Sequence, residues 1–225
     1  MNQYETAYPN EVHQLLITAS RHLYVTRDGR VRFQKKVIEG TWKKTKNESR
    51  QQVIHYIVRD HYSRAMYAEL HTRSEQVAPD EFLWRAWSQK DDYPFCGMPD
   101  FLILPKSVYS EALYNFIREL GIKIIKPKGG FMAGVWAFRE WDRTLEFVYS
   151  FPYETLNSFK ELQSKVPEII RTHFDLSSDG TNKLDVWQSN VRNLRMPPSR
   201  EEFYKTYQRA AAHNKQNTDA PFIGR

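Results

Sequence analysis

Between Arg27 and Arg50 the chain carries nine cationic side chains: Arg27, Arg30, Arg32, Lys35, Lys36, Lys43, Lys44, Lys46 and Arg50. Only Asp28, Glu39 and Glu48 oppose them, so this stretch alone is +6, equal to the net charge of all 225 residues. A polyanion such as nucleic acid is the ligand that such a run could hold. A solvated hairpin edge, whose lysines discourage edge-to-edge pairing, would have the same composition. Lys128-Gly129-Gly130 could cradle a phosphate on backbone N–H groups ahead of a helix, although the spacing is not that of a P-loop. The 7 histidines show no metal-ligand spacing. His55, His61 and His71 fall on or between neighbouring strands and read as satisfied or solvated strand residues rather than ligands. Cys96 is the only cysteine, which excludes intramolecular disulfides and multi-cysteine zinc sites and makes a cytoplasmic setting the expectation. No serine or cysteine sits in a nucleophile motif.

The elements that must position these groups follow from periodicity. Hydrophobic residues make up 40% and aromatics 14%, too much apolar bulk for a disordered chain. No stretch approaches the ~18 apolar residues of a membrane span, so no membrane partner is expected. The N-terminus lacks the basic and apolar regions of a secretory signal. Residues 9–21 read as a short helix opened by Pro9 and Asn10, and 22–33 as a hairpin turning through Asp28-Gly29. Residues 34–43 read as a strand. QVIHYIVR (52–59) and RAMYAELHT (64–72) are β-branched and aromatic strands. Pro79-Asp80 opens a helix, DFLILP (100–105) is a wholly apolar central strand, and VYSEALYNFIREL is a helix closed by Gly121. IKIIKP (122–127) is another buried strand, and residues 134–149 are helical. Trp84, Trp87, Trp136 and Trp141 sit at helical spacings, where core packing is the default and base stacking the alternative. The tail holds a polar helix interrupted near Pro167, a short helix at LDVWQSNVRNL, and a last helix capped by Ser199 with Glu202 three residues on.

This order predicts an α/β domain with a five-stranded mixed sheet: three antiparallel strands, then two parallel ones reached by helical crossovers. The expected organisation is an N-terminal helix and hairpin (1–33), a core (34–149) and a helical C-terminal extension (150–225).

Local words then narrow the choice. Val58-Arg59-Asp60-His61-Tyr62-Ser63-Arg64 resembles the strand turn of retroviral-type integrase and transposase cores. Gly97-x-Pro99 with the following strand, the helix ending Glu119-Leu120-Gly121-Ile122 and the next strand are similar to that family's central stretch. Trp141-Asp142-Arg143-Thr144-Leu145 resembles the end of its last catalytic helix. The resemblance covers about half of the chain and implies a ribonuclease H-like fold.

It also implies a chemistry that can be checked by charge type. The family reaction uses three carboxylates to hold two divalent ions, which activate the attacking oxygen and stabilise the leaving one. With 34–43 as first strand, Glu39 takes the first position. Alignment on Gly97-x-Pro99 puts Pro105 at the second, and alignment on the final helix puts Arg139 at the third, with Glu140 one residue away. Asp60, Asp100 and Glu140 have suitable letters, but Asp60 lies in a turn and Asp100 at a strand start. The acidic triad is therefore expected to be incomplete. The reading is an integrase- or transposase-like protein of mobile DNA that binds nucleic acid without strand transfer of its own, with no cofactor. Arg30, Arg32, Lys35, Lys36, Lys43, Lys44 and Lys46 would contact phosphates, with Lys126 and Lys128 as a second patch. DNA is the expected partner, with a recombinase, another protein or a second copy as further ones. Two alternatives stay open: an active nuclease or integrase using Mg or Mn on Glu39 and Glu140, and a protein-interaction module on the same fold.

Overall fold

The computed structural model describes residues 5–45, 50–125, 158–174, 180–192 and 194–218. Lys46, Lys126, Lys128, Arg139, Glu140, Trp136, Trp141 and the helix expected over 134–149 lie outside the described residues.

The chain opens with β1 (Val12–Thr26), a strand of 15 residues, and not with a helix. A short strand β2 (Val31–Phe33) folds back on it, then a two-residue pair, β3 (Gly40–Thr41) and β4 (Lys44–Thr45), forms a small separate flap. β5 (Arg50–Asp60) and β6 (Met66–His71) follow, then α1 (Pro79–Trp87), β7 (Phe101–Ile103), α2 (Glu111–Glu119) and β8 (Lys123–Ile125). The extension contributes α3 (Phe159–Ile169), which runs into a π-helical turn at Ile170–Phe174, then α4 (Lys183–Asn190) and α5 (Arg200–Thr218).

The main sheet has the order β6-β5-β1-β7-β8, with β2 on the outer part of β1. β6, β5 and β1 are antiparallel; β1, β7 and β8 are parallel. This is the ribonuclease H-like arrangement that the element order predicted. Its first strand, however, is residues 12–26. The segment 34–43, expected to be that strand, is a connection that ends in the flap, and residues counted as an N-terminal appendage supply the centre of the sheet.

The physical reason is burial on both faces. Leu15, Ile17 and Leu23 of β1 are buried, and so are His13, Gln14 and Ser20 on the same strand. A strand covered on both sides loses the alternation that marks a half-exposed one, and its apolar run can be read as one side of a helix. Length would have separated them, because β-branched Val12, Ile17, Thr18, Val25 and Thr26 are spread over the whole run. Asn10 caps no helix. It sits at φ 63 and inserts its side chain into the core.

Helices cover the sheet. α1 places Phe82, Leu83, Ala86 and Trp87 in the core, so Trp87 packs as the default reading of these tryptophans expects, and Trp84 packs at the core's margin. Each such aromatic or leucine side chain contributes about 1.5–3 kcal/mol by leaving water. The extension is fastened to this core. Phe203 of α5 meets Phe116 edge-on at 4.8 Å, Arg195 donates to the carbonyls of Leu120 and Pro99, and Glu202 N–H donates to Ser199 Oγ as a helix cap. Among the described residues no helix is long and apolar enough to cross a membrane.

Candidate nucleic-acid interface

Two ends of the sheet hold different chemistry. At the start of β1 and β7 lies a buried polar knot. Trp87 Nε1–H donates to His13 Nδ1 at 3.1 Å, so the His13 proton is on Nε2 and points at Asn10 Oδ1, 2.9 Å away. Trp187 of α4 donates to the same Asn10 oxygen at 3.0 Å, and Asn10 Nδ2 donates to the Cys96 carbonyl at 3.0 Å. Every member is satisfied with a neutral imidazole, and burial pushes His13 down to about 3. Asp60 sits at this end. It accepts from Asn10 N, Ser63 N and Ser63 Oγ at 2.8, 2.7 and 2.6 Å, while burial raises its carboxyl to about 6. Asp100 accepts from Tyr8 Oη at 2.8 Å. Both carboxylates tie the chain together as turn and strand-start residues.

The other end is the rim beyond the C-terminus of β7. β1 and β7 pair with Val12 beside Phe101, His13 beside Leu102 and Gln14 beside Ile103. Two residues further in the same register, Leu16 stands level with Pro105. No Asp or Glu occurs from Val12 to Thr26 or from Phe101 to Ser110. On the same face as Gln14, Leu16 and Thr18, β5 presents Arg59, Ile57 and His55. Arg59 is buried and donates to Gln14 Oε1 at 3.1 Å, so the charge on this face is positive. His55 is buried too, and desolvation holds its imidazole down to about 3. Glu39 is not on the first strand. It is exposed in the connection before the flap. Among the described residues no group of three His, Cys, Asp or Glu side chains could hold a metal ion.

Exposed cations lie beyond this rim, along the β1–β2 hairpin and the flap. Arg30, Arg32, Lys35, Lys36 and Lys43 are all exposed, as are Arg27, Arg50 and Lys106. Arg30 pairs with Asp28 at 3.2 Å, but both side chains are well exposed, so the pair is weak and leaves the arginine available. Lys44 lies in β4. The flap is rooted by Gln52, whose Nε2 donates to the carbonyls of Ser20 and Ile38 at 2.8 and 3.1 Å. Ile38 N–H donates to the Arg21 carbonyl at 2.7 Å. At the flap's tip Trp42 Nε1–H donates to the Ser107 carbonyl at 3.2 Å, in the loop that follows β7. Lys43 and Lys106 are thereby brought to one end of the sheet. The sequence reading missed Lys106, because nothing in the linear order ties it to the basic run.

His71 and His61 make local bonds within the fold. His71 bonds Glu69 at 2.7 Å beside Arg85, and His61 bonds Thr6 at 3.1 Å. An open cavity of about 600 Å³ between Tyr93, Arg171 and Trp187 contains Lys90, whose ammonium is engaged by the carbonyls of Arg85, Ala86 and Ser88 as a helix cap.

The strand order is shared with solved structures. A chain of the simian T-cell lymphotropic virus intasome in complex with the PP2A regulatory subunit B56 gamma superposes with a TM-score of 0.54 at 11% identity, over 88% of this chain and 61% of that one. This is the integrase-like fold. The chain thus spans about three fifths of the length of that relative. Two forms of the HTLV-2 integrase catalytic core domain in complex with magnesium are also similar. The trimeric form has a TM-score of 0.48 at 9% identity over 81% of this chain and 99% of that one. The dimeric form has 0.47 at 10% over 82% and 99%. No family model and no curated protein matches the chain.

Proposed function

We propose that this chain is a nucleic-acid-binding protein on an integrase-like fold, acting on mobile DNA without strand transfer of its own. The observation that carries the reading is the register of β1 with β7. Two-metal chemistry needs carboxylates facing one another on these two strands, because hard divalent ions take oxygen ligands and their charge must be neutralised. Here, continuing the register two residues past Gln14 and Ile103 sets Leu16 level with Pro105, and the Arg59 guanidinium lies on the same face from β5. A leucine side chain, a proline ring and a cation do not make a magnesium or manganese site. Pro105, which alignment on Gly97-x-Pro99 puts at the second family position, offers no carboxylate. Glu39, the substitute for the first, projects from a connection outside the main sheet.

Binding without chemistry then rests on the exposed cations of the β1–β2 hairpin and the flap. Each neutralised phosphate releases counterions, so affinity must fall steeply with salt. The test uses the full chain with labelled DNA, read by fluorescence anisotropy at rising salt, beside a nicking and strand-transfer assay in Mg²⁺ and Mn²⁺. Salt-sensitive binding with intact DNA is expected. Metal-dependent nicking that Glu140→Gln abolishes would overturn the inactive reading. Absence of binding at low salt would leave a protein-interaction module as the better account.

A further inference from the structure

We propose that the hairpin end of the sheet is a platform for single-stranded nucleic acid, with bases stacking on Phe33 and Trp42 between the phosphate-binding cations. The proposal rests on the nucleic-acid reading above and narrows its ligand.

The first observation is that rings and cations share this arm, Phe33 on the Leu23 side of β2 and Arg32 on the Tyr24 side. Phe33 is 38% exposed, and the His22 ring lies 5.5 Å from it. Trp42 at the flap tip is half-buried, with part of its ring packed against the core and Lys43 Nζ 5.0 Å from its ring centre. The Arg50 guanidinium lies 5.2 Å from the ring of Tyr24, and Arg32 is the cross-strand neighbour of Tyr24. Base stacking on aromatic rings flanked by phosphate-binding cations is how sequence-tolerant single-strand sites work, because every base offers a π-face. In a duplex those faces are hidden inside the stack, and exposed rings would gain little from it.

The second observation is the width of this arm. Two-stranded β-ribbons can enter a major groove about 12 Å wide. Here Tyr24 and Val25 of β1 are paired on both edges, with β2 on one side and β5 on the other. At about 4.8 Å per strand the outer backbones stand roughly 10 Å apart before any side chain is added. A three-stranded slab of that width lies across phosphates rather than in a groove.

The test compares a mixed-sequence single strand of about 20 nucleotides with its duplex by anisotropy, using the full chain at about 0.1 M salt. The single strand should bind at least about tenfold more tightly. Phe33→Ala and Trp42→Ala should each weaken it about fivefold or more while changing duplex binding by less than about twofold. Trp42→Phe keeps a stacking ring but loses the bond to Ser107, and should retain most of the affinity. Equal or tighter duplex binding overturns the proposal. So does unchanged single-strand affinity in both alanine variants when Lys35→Ala and Lys36→Ala weaken it; nucleic-acid binding would then stand without stacking. Failure of both DNAs to bind removes the reading of the preceding subsection instead.

Discussion

Acidification should destabilise this fold by an amount that two buried histidines set. In the unfolded chain an imidazole titrates near 6.5, whereas burial holds His13 and His55 to about 3. A base with a depressed folded pKa contributes stability that is fully present above pH 6.5 and is lost as pH falls toward 3. At pH 5.0, about 1.5 units below the unfolded value, each imidazole therefore costs about 2 kcal/mol, or about 4 kcal/mol for the pair. Asp60 acts in the opposite sense. Burial raises its carboxyl to about 6 from 3.8, so its ionised form opposes folding at neutral pH. Partial protonation between pH 7.5 and 5.0 returns about 1.4 kcal/mol. The net expected loss is about 2.6 kcal/mol, and His61, lowered by its partial burial, adds to it with the same sign. Urea unfolding at the two pH values measures this as a midpoint shift of about 1 M. His55→Leu removes one titrating group and should cut the pH-dependent loss to under about 1 kcal/mol, whatever it does to stability at pH 7.5. Identical wild-type midpoints at both pH values, or a full shift retained in His55→Leu, would show that these imidazoles are not held neutral.

Three further outcomes are expected. Lys35→Ala combined with Lys36→Ala should flatten the slope of log affinity against log salt by about 1.4 to 1.8, the share of two phosphate contacts, as read in anisotropy titrations. Gly97 has φ +90, and a Cβ there would stand 2.7 Å from Asn10 Nδ2 and 2.9 Å from Leu194 Cδ2, whereas at Gly29, φ +79, nothing lies within 4 Å. Gly97→Ala should therefore cost about 2–4 kcal/mol in denaturant melts and Gly29→Ala only about 1 kcal/mol, since the latter meets backbone strain alone. Gln52→Ala removes two of the bonds that root the flap, and limited trypsin digestion should then cleave after Lys43 several-fold faster, with global stability reduced by about 1–2 kcal/mol.

Much of the fold was legible in linear order. β5, β6, α1, β7, α2 and β8 stand where periodicity and turn residues put them, within one or two residues at most ends, although α2 starts three residues late. There Ser110 accepts from Leu113 N–H as the helix cap and the preceding residues turn instead. These elements declare themselves because local chemistry specifies them. A serine cap, a glycine at φ +74 after α2 or a run of β-branched residues acts over a few neighbours. Glu39 was assigned to a first strand over 34–43, a segment that is a connection ending in the flap, so that assignment fell with the strand.

The identity of the central strand was settled elsewhere. Residues 12–26 are a strand because β5 and β7 bond both their edges and side chains cover both their faces, and neither condition is written within the segment. The same holds for the basic end. The linear run supplies the positive charge, but the bonds of Gln52 to Ile38 and of Trp42 to Ser107 bring Lys43 and Lys106 to one rim. Composition and short-range pattern record which groups a chain owns. Which of them meet depends on pairings between residues tens of positions apart, where closing the loops is offset only by contacts the whole sheet makes together.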